Sequence, residues 1–228
     1  MSKKLSKEDL EQDLLIEYSS RFVHFYSQNK AAILGGGLGV LLLIGLIIGY
    51  FVHINQQEIQ AQELLGIAEQ SLAQGNIERA LHGDEDDFSL GFIQIADNFG
   101  RTSAGNLASY YAAVAEFELG NYESSLNHIK KFNLPSGIIG VTPIMLHANI
   151  LLELERYGDA ARMFDKAAEW DVNEGTTPIN LYSAAEAYAE AGMYSEARDR
   201  LDRIMDNYPG SAVASRAERL LGNLAFRS

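Results

Sequence analysis

Residues 31–52 read AAILGGGLGVLLLIGLIIGYFV, an apolar run without a charged side chain. At 1.5 Å per residue it forms a helix of about 33 Å, enough to cross a hydrocarbon core of roughly 30 Å. A core helix of that length would carry a polar face, and a cleaved signal sequence would be shorter and end in a small-x-small site. This run instead begins after thirty residues and closes in Tyr50-Phe51-Val52-His53-Ile54. It predicts an uncleaved transmembrane anchor over 31–54. Ahead of it, Leu10, Leu14, Tyr18, Phe22 and Tyr26 recur every four positions, and Ser6-Lys7-Glu8-Asp9 has the form of a capping box. Residues 1–30 therefore predict a cytoplasmic amphipathic segment that either rests on the membrane surface or docks a partner.

Beyond the anchor the pattern becomes periodic. Residues 119–126 (LGNYESSL), 154–161 (LERYGDAA) and 191–198 (AGMYSEAR) repeat one theme, with Tyr122, Tyr157 and Tyr194 spaced by 35 and 37. A weaker copy, QGNIERAL at 74–81, has Ile77 in the tyrosine's place and precedes Tyr122 by 45 residues, the excess falling in HGDEDDFSL at 82–90. Two further stretches, IADNFGRTSAG at 95–105 and IMDNYPGSAVA at 204–214, echo each other as ends of second helices. A period near 35 that holds two helical patterns indicates stacked helix-turn-helix repeats.

Gly120 and Gly192 stand where a first helix must end in a left-handed turn, while Ala160 and Ala197 stand where the second helix crosses the first. The three tyrosines are placed to wedge between repeats with their hydroxyls at the surface. Thr176-Thr177-Pro178 reads as an N-cap and first-turn proline, and Asn207-Tyr208-Pro209-Gly210 closes the next hairpin. The remainder, 211–226, predicts a capping helix with Ala214, Ala217, Leu220, Leu221, Leu224 and Ala225 toward the core. The expected fold is all-α: a single N-terminal transmembrane helix, then a right-handed helical solenoid over 55–228 of about four repeats plus the C-terminal cap.

Charge sharpens this organisation. Residues 1–54 are balanced, so the whole formal net charge of −13 lies in 55–228. A domain of that sign repels phosphate backbones and has no basic stripe to compensate, which argues against nucleic acid as a partner. Arg21 and Lys30 flank the run on its N-terminal side, and no Lys or Arg lies within fifteen residues on the other. The positive-inside rule then puts the N-terminus in the cytoplasm and 55–228 outside. Gly35, Gly39, Gly45 and Gly49 fall within an arc of roughly 120° on the span, a packing face for another membrane helix.

Candidate chemistry is sparse. The chain has no cysteine, and its five histidines form no HxxxH or HExxH pair. His147 falls at a packing position on a helix. The cluster Asp84, Glu85, Asp86, Asp87 is either a solvated turn whose last carboxylates cap the next helix or a cation loop, without the alternating D-x-D-x-D-G pattern and distal Glu of a calcium site. No phosphate loop, dinucleotide fingerprint or nucleophile elbow occurs outside the membrane run. The expectation is a protein that is not an enzyme and has no cofactor or small-molecule substrate. The rival reading is a metal-dependent enzyme built on 84–87.

The 34-to-37-residue pattern resembles the tetratricopeptide repeat, best in the last copy, where Leu181, Ala184, Ala185, Tyr188, Gly192, Tyr194, Ala197, Leu201, Ile204 and Pro209 occupy signature positions. Ser125 replaces the usual Ala and Glu155 the usual Gly. With the anchor, the whole chain resembles the YfgM-type family of ancillary Sec translocon subunits. The stretches ALHGDEDDFSLGFIQIADNFGRTSAGNLASYYAA and EGTTPINLYSAAEAY are similar to its Bacteroidetes-type members. That resemblance implies a bacterial inner-membrane protein whose periplasmic repeat domain binds proteins beside the secretion channel. The implied partners are Sec subunits, a membrane-anchored periplasmic chaperone and emerging client polypeptides.

Carrying over the groove-lining positions of such arrays gives Leu107, Tyr110 and Val114, then Met145, Asn149 and Leu152, then Ile179, Tyr182 and Glu186. The groove has no lysine clamp, and Glu118, Glu153, Glu186 and Glu190 favour apolar or basic segments over an acidic tail. An adaptor in envelope assembly or cell division, built on the same scaffold, is the alternative.

Overall fold

The computed structural model describes residues 7–86 and 88–225, with the backbone alone given for 7–17, 19 and 22. The chain divides after Asn55 into two compact units. Helix α1 (Lys7–Ala73) departs from helical geometry at Asn29 (φ −115°, ψ 22°), whose side-chain amide donates to the Phe25 carbonyl at 3.0 Å. That departure falls two residues before the uncharged run. Every side chain from 31 to 53 is exposed, and the helix is long and apolar enough to cross a membrane. It is a candidate single-pass anchor: a run of Leu, Ile and Val with no protein around it is what hydrocarbon stabilises and water does not. A Cβ added at Gly35, Gly39, Gly45 or Gly49 would meet nothing within 4 Å. Tyr18 and Tyr26 are exposed; the capping box at 6–9 and the side chains of Leu10, Leu14 and Phe22 lie outside the described residues.

In the second unit, the end of α1 buries Ala61, Leu65 and Ala68 and forms the first helix of the first repeat. Then follow α2 (Ile77–His82), α3 (Phe92–Phe99), α4 (Ser103–Glu118), α5 (Tyr122–Lys131), α6 (Val141–Glu153), α7 (Tyr157–Trp170), α8 (Thr177–Glu190), α9 (Tyr194–Asn207) and α10 (Ala214–Leu224). Apart from one short hairpin, β1 (Gly83–Asp84) against β2 (Ser89–Leu90), the described residues of this unit are all-α. The buried residues gather into one cluster under the first two repeats, a larger one running from Ala113 to Leu224, and a small one of Val141, Ile144 and Ala167.

The four first helices end in one way. Gly75, Gly120, Glu155 and Gly192 all have positive φ (81°, 79°, 56° and 73°). Each donates its N–H to the carbonyl three residues back, and the following residue donates to the carbonyl five back, as in Asn121 to Glu116 at 2.8 Å and Arg156 to Leu151 at 2.9 Å. This double closure satisfies the last carbonyls of the helix. In the third copy a glutamate is held where glycine belongs. Glu155→Gly is expected to stabilise the unit by up to about 1 kcal/mol, since a left-handed Cβ costs roughly 1–2 kcal/mol and glycine's unfolded-state freedom returns roughly 0.4–1. A higher urea midpoint at unchanged slope is the expected reading.

Where second helices cross first ones, Ala80, Ser125, Ala160 and Ala197 are fully buried. Ser125 fits the alanine position because its hydroxyl donates to the Ala113 carbonyl on the facing helix at 2.6 Å. Tyr122, Tyr157 and Tyr194 are all half-buried.

Three expectations need correction. Among the described residues the carboxylates of 84–86 do not cap α3: the Gln94 side chain accepts from the Gly91 N–H at 2.9 Å and donates to the His82 carbonyl at 2.6 Å, clipping the base of the hairpin. Thr176 does not cap α8 through its hydroxyl. Thr176 stands at the N-cap and Pro178 in the first turn as expected, but Asn173 Oδ1 holds the turn ahead of the helix, accepting from Gly175 and Thr176 N–H at 2.9 and 2.8 Å, while Thr177 Oγ1 donates to the Ala168 carbonyl at 3.2 Å. The last helix begins at Ala214, not 211, because Pro209-Gly210 is followed by further turns, Ser211 N–H to Tyr208 and Ala214 N–H to Ser211. Ala214, Ala217 and Leu224 are buried there, Leu220 and Leu221 half-buried, but Ala225 is exposed and Phe226 lies outside the described residues.

The stretch TSAGNLA acquires a physical reason. Thr102 Oγ1 accepts from the Gly105 N–H at 2.9 Å and donates to the Phe99 carbonyl at 2.7 Å. The Glu58 carboxylate, on α1, accepts from the Ser103 and Ala104 N–H groups at 2.6 and 3.2 Å, a charged cap on the positive end of α4. Gly105 lies so close to the Phe99 backbone that a Cβ would run into its carbonyl. Gly105→Ala is expected to cost about 1–3 kcal/mol, because the clash is with backbone and only separation of α3 from α4 relieves it. A lowered unfolding midpoint checks this.

Candidate functional site

The helical hairpins bury two sides of each first helix and leave one stripe open. On α4 the stripe runs through Leu107, Tyr110 and Val114, all half-buried; on α6 through Met145, Asn149 and Leu152, also half-buried; on α8 through Ile179 and Glu186, exposed, with Tyr182 half-buried between them. The spacing of three and four residues is that of one helical face. Helices α4 and α6 touch, as do α8 and α10, so first helices adjoin one another within each of these pairs.

The stripe is anchored from below. Leu107 packs on the first core cluster, and Tyr110, Leu152 and Tyr182 on the larger one. Met145 sits over Val141, Ile144 and Ala167 beside Trp170. Tyr110 lies 5.7 Å from the Tyr111 ring and 5.5 Å from Phe132, and burial pushes its hydroxyl pKa up. Apolar and aromatic groups held in this way offer contact area at small entropic cost.

At the C-terminal end the chemistry changes. The Arg216 guanidinium lies over the Tyr182 ring, 4.9 Å from its centroid. Burial raises the Tyr182 pKa first, then its hydrogen bond to Glu186 and that residue's charge; Arg216 and Arg219 pull the other way. Arg216 of α10 thus faces the stripe, with Arg219 one turn further along the helix. Sequence reasoning treated α10 as a cap and missed them. The available signal was positions 216 and 219, one turn apart and opposite the apolar face.

The other candidates are spoken for. Asp84 pairs with Arg79 at 3.3 Å and accepts the Asp86 N–H at 3.0 Å; Asp87 lies outside the described residues. Among the described residues no group of three or more His, Asp or Glu side chains is gathered for a metal ion. His147 is half-buried, and its pKa is lowered to about 4 by burial and by Lys130, Lys166 and Arg156, so it stays neutral near pH 7.

Comparison with curated proteins gives no match. Residues 151–221, from the end of α6 into α10, match a family model described as tetratricopeptide repeat. With helices throughout and one shared turn geometry in all four copies, the second unit is a tetratricopeptide-like helical solenoid, the architecture of a protein-binding scaffold.

Proposed function

We propose that this protein is a membrane-tethered interaction scaffold at the bacterial inner membrane, with the N-terminus in the cytoplasm and the repeat domain, 55–228, in the periplasm. It works beside the Sec translocon, taking a membrane-anchored chaperone or an emerging client polypeptide on its first-helix stripe. The observation that carries the scaffold reading is that stripe: Leu107, Tyr110, Val114, Met145, Asn149, Leu152 and Ile179 open to solvent and ending in Tyr182, Glu186 and Arg216. Its apolar length suits an extended or helical segment, and its mixed-charge end selects a ligand with polar groups of both signs. The place at the export channel rests on the whole-chain resemblance and on the anchor. The open glycine face of 35, 39, 45 and 49 is the surface for a partner helix in the bilayer. No reaction and no cofactor belong to this reading.

Capture of tagged full-length protein from native membranes in mild detergent, with quantitative mass spectrometry, tests it. Sec channel subunits or an anchored chaperone should co-purify, and should be depleted for Tyr182→Ala or for leucine at the four glycines. Partners from envelope assembly or division, or none that is specific, would leave the scaffold and remove the export role.

A further inference from the structure

The second-to-first-helix turns of the solenoid lie at one edge, together with the start of the unit, where Glu58 meets the N-terminus of α4. A row of contacts follows that edge from the beginning of the unit. Glu58 holds the first N–H groups of α4; Asn106 exchanges hydrogen bonds with Asn133 at 3.1 and 2.7 Å; Trp170 Nε1 donates to the Pro135 carbonyl at 3.1 Å. The loop reached in this way, FNLPSGIIG at 132–140, carries no charge. It projects Ile138 and Ile139, 50% and 72% exposed, and the neighbouring turn adds Val172 at 69%. Asp171 and Glu174 flank Val172 and Lys131 pairs with Asp97 at this edge, while the opposite edge is the more acidic, with Glu118, Glu123, Glu153, Glu155 and Glu190 around its turns.

The apolar edge is also the edge at which the chain arrives from the span. Three residues separate Val52 from Gln56, so the start of the unit is no more than about 14 Å along the chain from the end of the apolar run. Ile138 and Ile139 on an uncharged loop, with Val172 and the half-buried Trp170 on the next turn beside the water-seeking Asp171 and Glu174, match the mixed chemistry of the headgroup–acyl boundary.

We propose that this edge, led by Ile138, Ile139 and Val172, rests in the interface of the bilayer that holds residues 31–52. The domain is then held at the membrane at a second place and presents its acidic edge outward. The inference rests on the membrane-anchor part of the proposed function, and the test separates the two.

The chain has no cysteine, so single-cysteine variants of the full-length protein can each carry one environment-sensitive fluorophore. The set is Ile139→Cys, Val172→Cys, Leu42→Cys in the span and Glu118→Cys on the opposite edge, each in phosphatidylethanolamine–phosphatidylglycerol vesicles. With spin-labelled lipid, loss of emission is expected at 42, 139 and 172 and not at 118. Quenching at 42 alone, with 139 and 172 open to aqueous iodide, overturns the proposal and leaves the anchor standing. Labels at 139 and 172 that neither quencher reaches would mean the edge is covered by a second copy of the chain, which also overturns it. No lipid quenching at 42 would remove the anchor and this inference together.

Discussion

Phe164→Ala is expected to lower the stability of the repeat unit by about 3–5 kcal/mol, the range for deleting a buried aromatic side chain. Phe164 is 2% exposed on α7, in the cluster that also holds Leu126, Ile129, Leu151, Leu181 and Leu201. Those residues come from α5, α6, α8 and α9, so the cavity would open between neighbouring repeats rather than inside one. In a stacked array each repeat is stabilised by its interfaces, and the loss should spread to both sides of α7. Guanidinium unfolding of the full-length protein in mild detergent, followed by circular dichroism, should show a much lower midpoint. Hydrogen exchange should quicken first in α6 to α9, with the amides of α3 and α4 less affected. Equal quickening along the whole unit would contradict the array picture.

Asp165→Ala is the second large effect, about 3 kcal/mol, the cost of leaving a largely buried charge without its partner. One carboxylate ties three consecutive helices. Arg200, on α9, donates through Nε at 3.0 Å and Nη2 at 2.7 Å, and the Tyr188 hydroxyl, on α8, donates at 2.7 Å. The side chains are 14% and 21% exposed for Asp165 and Arg200, so the alanine leaves the guanidinium with only the exposed Asp199. Asp165→Asn keeps an acceptor for Tyr188 and should lose less. The network also predicts an alkaline response. Burial, then the hydrogen bond and charge of Asp165, push Tyr188 from 10.0 up to about 12. A raised folded-state value means that the contribution is full below the unfolded value and is lost as pH rises through the folded one. Between pH 10 and 12 the wild type should therefore lose stability that Tyr188→Phe does not lose.

The legible features were those with a local cause. The uncharged run at 31–52 predicts a span because its length and polarity are properties of the segment itself. Gly120 and Gly192 mark helix ends because a left-handed turn discriminates against a Cβ at that one residue. Glu155 shows the limit of that logic: it takes the same turn without the glycine, because the helices on either side over-determine its backbone. The groove positions were carried over from the resemblance to tetratricopeptide arrays, which says nothing of what faces them. Arg216 lies 34 residues from the ring it covers, and nothing between them in the chain announces the pair.

Capping was where reading along the chain failed. At α8, Thr176 stands at the N-cap without its hydroxyl accepting a helix N–H, and the path of the chain out of α7 has Asn173 close the preceding turn instead. At α4 the local cap Thr102 was legible in kind, while its charged companion, Glu58, comes from 45 residues away.

An apolar run long enough to cross a bilayer, the period of the helical hairpins and the places where they turn could be read along the chain, because each depends on conformational preference and apolar spacing within a few residues. The tertiary structure alone decided which carboxylate meets which arginine, which oxygen caps which helix and which aliphatic side chains are left uncovered at the edge. Those outcomes depend on distances between helices that the chain brings together only after the hydrophobic stripes have packed.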